Sequence, residues 1–159
     1  MLKAFLDRRR TLKTLGNFVS PEIARQIADG SFIAPPLSQR AIEFAFVTVP
    51  AADAQSYSER AGVVAELAFG RDAVVHSLLP VVVIGFGIVD NGAAGDRVGF
   101  VADLNSRVAD AAVVHGSVIA TVGSFGGASR LDVGFWWPGM GDALRQLARL
   151  SPGDADELR

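Results

Sequence analysis

The spacing of apolar residues changes several times along this 159-residue chain, and the order of those changes restricts the fold more than any other feature. Residues 40–49 (Arg-Ala-Ile-Glu-Phe-Ala-Phe-Val-Thr-Val) are rich in β-branched and aromatic side chains and stop at Pro50, which predicts a buried strand. Residues 53–69 switch to helical spacing, with Tyr57, Val64 and Leu67/Ala68 on one face. Residues 73–78 and 81–88 predict a strand pair around Pro80. A second helix is predicted over 96–111, where Val98, Val101, Leu104 and Val108 repeat at helical intervals. Strands at 112–122 and 130–137 are joined by a glycine-rich turn from Gly123 to Ser129, and a closing helix over 139–150 buries Leu144, Leu147 and Leu150. The order strand–helix–strand–strand–helix–strand–strand–helix predicts an α/β (α+β), ferredoxin-like βαββαβ sandwich with helices on one sheet face. The other face is expected to stay open to a partner.

Upstream of this pattern, Ser20-Pro21-Glu22 reads as a helix start, with serine capping free amides and proline at the first helical position. That helix runs to about Asp29 and stops at Gly30, and residues 34–38 form a linker. Residues 1–17 read as a basic amphipathic helix in which Phe5, Leu12 and Val19 recur every seven residues, with Arg8 interrupting the adjoining seam. Such a segment could form a short dimeric coiled coil, pack on its own domain, or flank a membrane span in a longer protein. The expected organisation is an N-terminal helical segment over 1–30 and one domain over 38–159.

Composition narrows the function classes. Half the residues are apolar, enough for a single core, and a net charge of -2 gives no general case for nucleic acid as a partner. Cysteine is absent, which excludes disulfides and thiolate metal sites. The apolar stretch Leu78 to Ile88 contains Pro80 and is too short to span a bilayer, and the N-terminus has no apolar signal core, so the expected location is cytoplasmic. Both lysines, Lys3 and Lys13, precede residue 14, so chemistry that needs a lysine in the domain is excluded. The run Gly123-Ser124-Phe125-Gly126-Gly127 joins two strands and opens no helix, which removes a phosphate-loop reading.

The last third reads His115-Gly116-Ser117-Val118-Ile119-Ala120-Thr121-Val122-Gly123, then Arg130-Leu131-Asp132, Gly141-Asp142-Ala143-Leu144 and Ala148-Arg149-Leu150. This succession resembles the C-terminal half of the class III adenylate/guanylate cyclase catalytic domain. Leu15-Gly16-Asn17-Phe18-Val19-Ser20-Pro21-Glu22-Ile23 resembles the segment that precedes many bacterial cyclase domains, so the likeness spans roughly residues 15–150. It implies the ferredoxin-like cyclase plan, a head-to-tail dimer and a site shared between two subunits. Family members continue past the Ala-Arg-Leu helix with more strands. Here the sequence reaches only Arg159, so that edge is expected to be absent or trimmed.

The likeness also shows what has changed. Cyclisation needs two carboxylates for two metal ions, polar groups to select the base and a cation for the transition-state phosphate. Thr48 stands where the family keeps the first metal aspartate, and Pro80 where it keeps the second. The turn that gives amides to the phosphates reads Ala51-Ala52-Asp53, where Asp53 is expected to cap the following helix. His76 replaces the base-selecting lysine, the second base-selecting position falls on Pro138, and Arg145 replaces the ribose-orienting asparagine. Of these positions only Arg149, matching the transition-state arginine, is kept.

Several residues admit two readings. Arg145 and Arg149, four apart on a helix, could clamp a nucleotide phosphate or another small anion, or could form a solvated basic face. His115 and His76 are read as structural, without a second metal ligand in view. Of Phe135, Trp136 and Trp137, one ring enters the core and its neighbour points away, offering an interface residue. The favoured expectation is a catalytically inactive cyclase-like module with no cofactor, pairing with itself or with an active cyclase in signalling. A divergent cyclase is the alternative, with Mg²⁺ or Mn²⁺ held by Asp90, Asp96 and Asp132. A third is a small-ligand sensor using Arg145, Arg149 and the tryptophans.

Overall fold

A computed structural model describes residues 21–31, 33, 36–78, 80–88, 96–127 and 130–158. Helix α1 (Pro21–Asp29) leads into β1 (Ser38–Thr48), α2 (Ala54–Phe69), β2 (Val74–Leu78) and β3 (Val81–Phe86). Helix α3 (Arg97–Arg107), β4 (Ala112–Gly127), β5 (Arg130–Trp136), α4 (Met140–Leu147) and β6 (Ala155–Leu158) complete the order. The six strands form one sheet in the order β2-β3-β1-β4-β5, with β6 also beside β4. All pairs are antiparallel except β4 with β6. The mixed α+β class and the βαββαβ order expected from the sequence are both present. The amphipathic pattern over residues 1–17 lies outside the described residues.

Central strand β1 lies between β3 and β4, and its residues 44–47 (Phe-Ala-Phe-Val) are fully buried. Alternation along β1 sends Ala45 and Val47 to one face and Ile42, Phe44 and Phe46 to the other. The first face carries α2 and α3, through Val64, Leu67 and Ala68 and through Phe100 and Leu104. The second face is not open, contrary to the sequence expectation. Phe135, Trp137, Ala143 and Leu147 cover it. Trp137 sits among Phe44, Phe46 and Phe135, at centroid distances of 4.7, 5.6 and 6.1 Å. Phe135 and Trp137 share a parity and turn inward, while Trp136 between them points out and is 54% exposed.

Four features differ from the sequence reading. The glycine-rich segment is strand rather than turn: β4 continues through Gly127, because residues 121–127 pair with β5 along its whole length. Gly123 has φ of +138° there, and an added Cβ would meet the Pro36 carbonyl oxygen at 2.6 Å, so the linker into β1 crosses where only glycine leaves room. Helix α3 ends at Arg107, and its inner face runs through Arg97, Phe100 and Leu104. Val98, expected in the core, is 70% exposed. The edge expected to be missing is partly present, since β6 pairs with residues 113–116 of β4. The closing helix is shorter than expected and buries Ala143 and Leu147, with Leu144 and Leu150 only partly covered.

Gly85 in β3 records how closely the second layer approaches. A Cβ at this position would fall 2.4 Å from Phe135 Cε1 and 2.3 Å from Ile88 Cδ1. Gly85→Ala should therefore destabilise the fold by about 1–3 kcal/mol, the usual cost of overpacking a filled core. Urea denaturation of the variant against the parent chain checks this.

Candidate functional site

The polypeptide leaves β1 at Thr48, crosses Val49 and Pro50 and starts α2 at Ala54. Thr48 is paired with Val81, so Pro80, one residue earlier, comes to the same end of the sheet. The two positions read from the sequence as the metal-aspartate positions are thus brought together by strand register. Beside them opens a cleft of about 600 Å³, whose lining includes Val49, Asp53, Tyr57, Ser58, Ala61 and Pro80.

Asp53 behaves as expected, as a helix cap. Its carboxylate accepts from the Ser56 backbone N–H at 2.8 Å, and its own backbone N–H donates to Ser56 Oγ at 3.2 Å. The Ser56 amide bond, first among the causes, holds the Asp53 carboxyl below its usual range. The cap thereby uses the amide donor and the carboxylate at the mouth of the cleft.

This donor set does not fit a pair of divalent ions. Thr48 offers a neutral hydroxyl, Pro80 has no ligand atom and Asp53 is engaged with Ser56. Among the described residues no group of three His, Asp or Glu side chains is placed to hold a metal. Of the alternative carboxylates, Asp96 caps α3 by accepting from Gly99 N at 2.9 Å and pairs with Arg71 at 3.1 Å. Asp132 belongs to β5, opposite Phe125, and Asp90 lies outside the described residues.

The two arginines lie at the end of α4 and just past it. Helix α4 stops at Leu147, so Arg149 falls in the turn beyond it, where its backbone N–H donates to the Gln146 carbonyl at 3.0 Å. Arg145 stays on the helix and pairs with Asp142. Both are exposed, and α4 packs on the sheet face opposite α2. Neither lines the cleft. Pro138 is exposed in the turn before α4. His76 donates from Nε2 to the Val133 carbonyl at 2.9 Å, a structural bond that ties β2 to β5.

Sequence reasoning missed the one buried charged cluster among the described residues. Arg97, 8% exposed, reaches Glu43 Oε1 at 3.2 Å and Glu157 Oε1 at 2.9 Å, and also contacts His115 Nδ1. A guanidinium can only donate, so this contact requires a neutral His115 with its proton on Nε2. Burial, and then the charge of Arg97, push the His115 pKa down, opposed by Glu157, Asp156 and Glu43. The cluster joins α3, β1, β4 and β6. Only the phase of Arg97 one residue before Val98 could have signalled it.

The arrangement of strands and helices matches known cyclases. The chain is similar to the adenylyl cyclase CyaB from P. aeruginosa (TM-score 0.56, 12% identity, 76% of this chain and 77% of that one). It is similar to the guanylyl cyclase Cya2 (TM-score 0.53, 12% identity, 77% and 76%). A bacterial light-regulated adenylyl cyclase matches 92% of this chain with 51% of its own length (TM-score 0.58, 13% identity). No family model matches the chain, and no curated protein does. The chain has a class III adenylyl/guanylyl cyclase-like fold. No helix among the described residues is long and apolar enough to cross a membrane.

The His115 cluster makes stability depend on pH in a definite direction. The folded pKa lies below the unfolded value of 6.5, so the unfolded chain binds the proton more tightly. The stabilising contribution is whole above pH 6.5 and is lost as pH falls toward the folded pKa. His115→Asn, whose amide oxygen can accept from Arg97 without titrating, should flatten the profile below pH 6.5. Denaturant midpoints at pH 5.0 and 7.5 test this.

Proposed function

We propose that this cyclase-like domain does not cyclise nucleotides and acts as a dimerisation or regulatory module in signalling, pairing with itself or with an active cyclase. The carrying observation is the convergence of Thr48 and Pro80. The register Thr48↔Val81 brings these positions to one end of the sheet beside a cleft, as a two-metal site requires, and neither position supplies a carboxylate. Arg149 as a transition-state cation would have nothing to act on without the metals and a seated triphosphate.

The surface beyond the helical layer supports the pairing role. Ile119 is 65% exposed, its β1 partner Ala41 is exposed, and Trp136 stands opposite Thr121 on the neighbouring strand. An outward indole beside an uncovered isoleucine on a sheet suits a protein contact. Phe135 and Trp137, expected with Trp136 as interface residues, are committed to this chain's own core, which leaves Trp136 as the anchor.

Incubation with ATP or GTP and Mn²⁺ or Mg²⁺ should give no cyclic product, and turnover would overturn the proposal. The double variant Thr48→Asp/Pro80→Asp should gain Mn²⁺ binding by calorimetry, because it restores two carboxylates at positions already brought together. Trp136→Ala should weaken self-association, or association with an active cyclase domain, by at least tenfold, the ordinary loss at an aromatic hot spot of about 1.4 kcal/mol or more. Sedimentation velocity over a concentration series measures this.

A further inference from the structure

We infer that the cleft between the end of β1, the turn at Pro80 and the first turns of α2 binds a compact apolar molecule carrying one positive charge, of the aryl-alkyl ammonium class. This rests on the reading that the cleft no longer seats a nucleotide, and it names what the altered chemistry suits instead.

Three observations lead there. The first is size and lining. A volume of about 600 Å³ falls in the range of small-molecule sites, and most of the lining is apolar. Ala54, Tyr57, Ser58 and Ala61 follow helical spacing and present one face of α2 to the cleft, with Val49 and Pro80 opposite. Tyr57 and Ala61 continue into the core beneath, so the inner end of the cleft is the margin of the packed interior.

The second observation is charge. Among the described lining residues Asp53 is the one ionisable group besides the Tyr57 phenol, and none is an arginine, lysine or histidine. A triphosphate would meet negative charge and, among these residues, no cation. An ammonium would meet an attractive carboxylate that is ionised at neutral pH, since its amide bond lowers its pKa.

The third is the use of the helix start. Two of the backbone donors at the beginning of α2, the Asp53 and Ser56 N–H groups, are engaged in the reciprocal Asp53–Ser56 cap. An anion there would compete with the Asp53 carboxylate for the Ser56 amide and meet its charge. A cation can approach the outer lone pairs of the same carboxylate and leave the cap intact.

Tyr57 is the only tyrosine of the chain, so 3-fluorotyrosine labelling gives a single ¹⁹F resonance located in the cleft. Phenethylammonium should shift that resonance saturably, while phenylacetate and ATP with Mn²⁺ should not. Asp53→Asn keeps a good helix cap but removes the charge, and should weaken phenethylammonium binding about two- to fivefold, the range for an exposed ion pair. Ala54→Phe, at an exposed lining position, should abolish the shift without entering the core. Thermal melts of both variants confirm that they fold.

An equal shift with phenylacetate, or an unchanged affinity in Asp53→Asn, overturns the charge selection. No saturable shift with phenethylammonium overturns the site. Cyclic product in a parallel assay with ATP or GTP overturns the inactive-module reading and this inference together. A null ¹⁹F result without product overturns only this inference.

Discussion

Burial of β1 on both faces is the constraint from which the rest of the molecule follows. Phe44, Ala45, Phe46 and Val47 have no solvent contact, so each face of the sheet must carry its own layer. Small residues face α2 and α3, which lets two helices approach, and phenylalanines face the other way, where Trp137 packs between them. A tryptophan in that position needs a strand to deliver it. The β4–β5 hairpin does so, and its approach forces glycine at position 85. The same strand ends at Thr48 with both neighbours in register, and that fixes the end of the sheet where the cleft opens.

Much of this plan was legible because local and tertiary preferences agree. The Asp53 cap, the stop at Gly30 and the hairpin around Pro80 are written in residue types whose backbone chemistry is nearly context-free. The extent of β4 was hidden because glycine and serine disfavour strands in isolation, and only pairing with β5 overrides that. The face of α3 was read correctly at Val101, Leu104 and Val108 and missed at its start. Arg97 goes inward in place of Val98 since it finds Glu43, His115 and Glu157, which come from three other strands. No local pattern announces partners so far apart in sequence.

The candidate site divides along the same line. Thr48 and Pro80 were placed by motif, and hydrogen-bond register brings them together. Arg145 and Arg149 were also placed by motif, and their i, i+4 spacing assumes a helix through both. Helix α4 ends at Leu147, so only Arg145 lies on it. A spacing argument is only as long as the element beneath it. The sequence also left the second sheet face free, because alternation shows which residues of β5 turn inward and not what they land on.

Two charged regions of the fold, at Arg97 and at the cleft, follow opposite logic. At Arg97 the charge is buried, so each ion must be matched by fixed partners, and the neutral form of His115 is part of the match. Removing one member there costs stability. At the cleft the single carboxylate is exposed and capped by its own helix, so it costs the fold nothing to leave its outer face available. Metal sites are built in the first manner, with several donors converging on one point and strain absorbed by the surrounding core. Among the described residues nothing around Thr48 and Pro80 is organised that way: β1 delivers a hydroxyl and the β2–β3 turn delivers a ring without a donor. Metal binding at these two positions would therefore take new donors at both, whereas the proposed weak recognition of an apolar cation needs none.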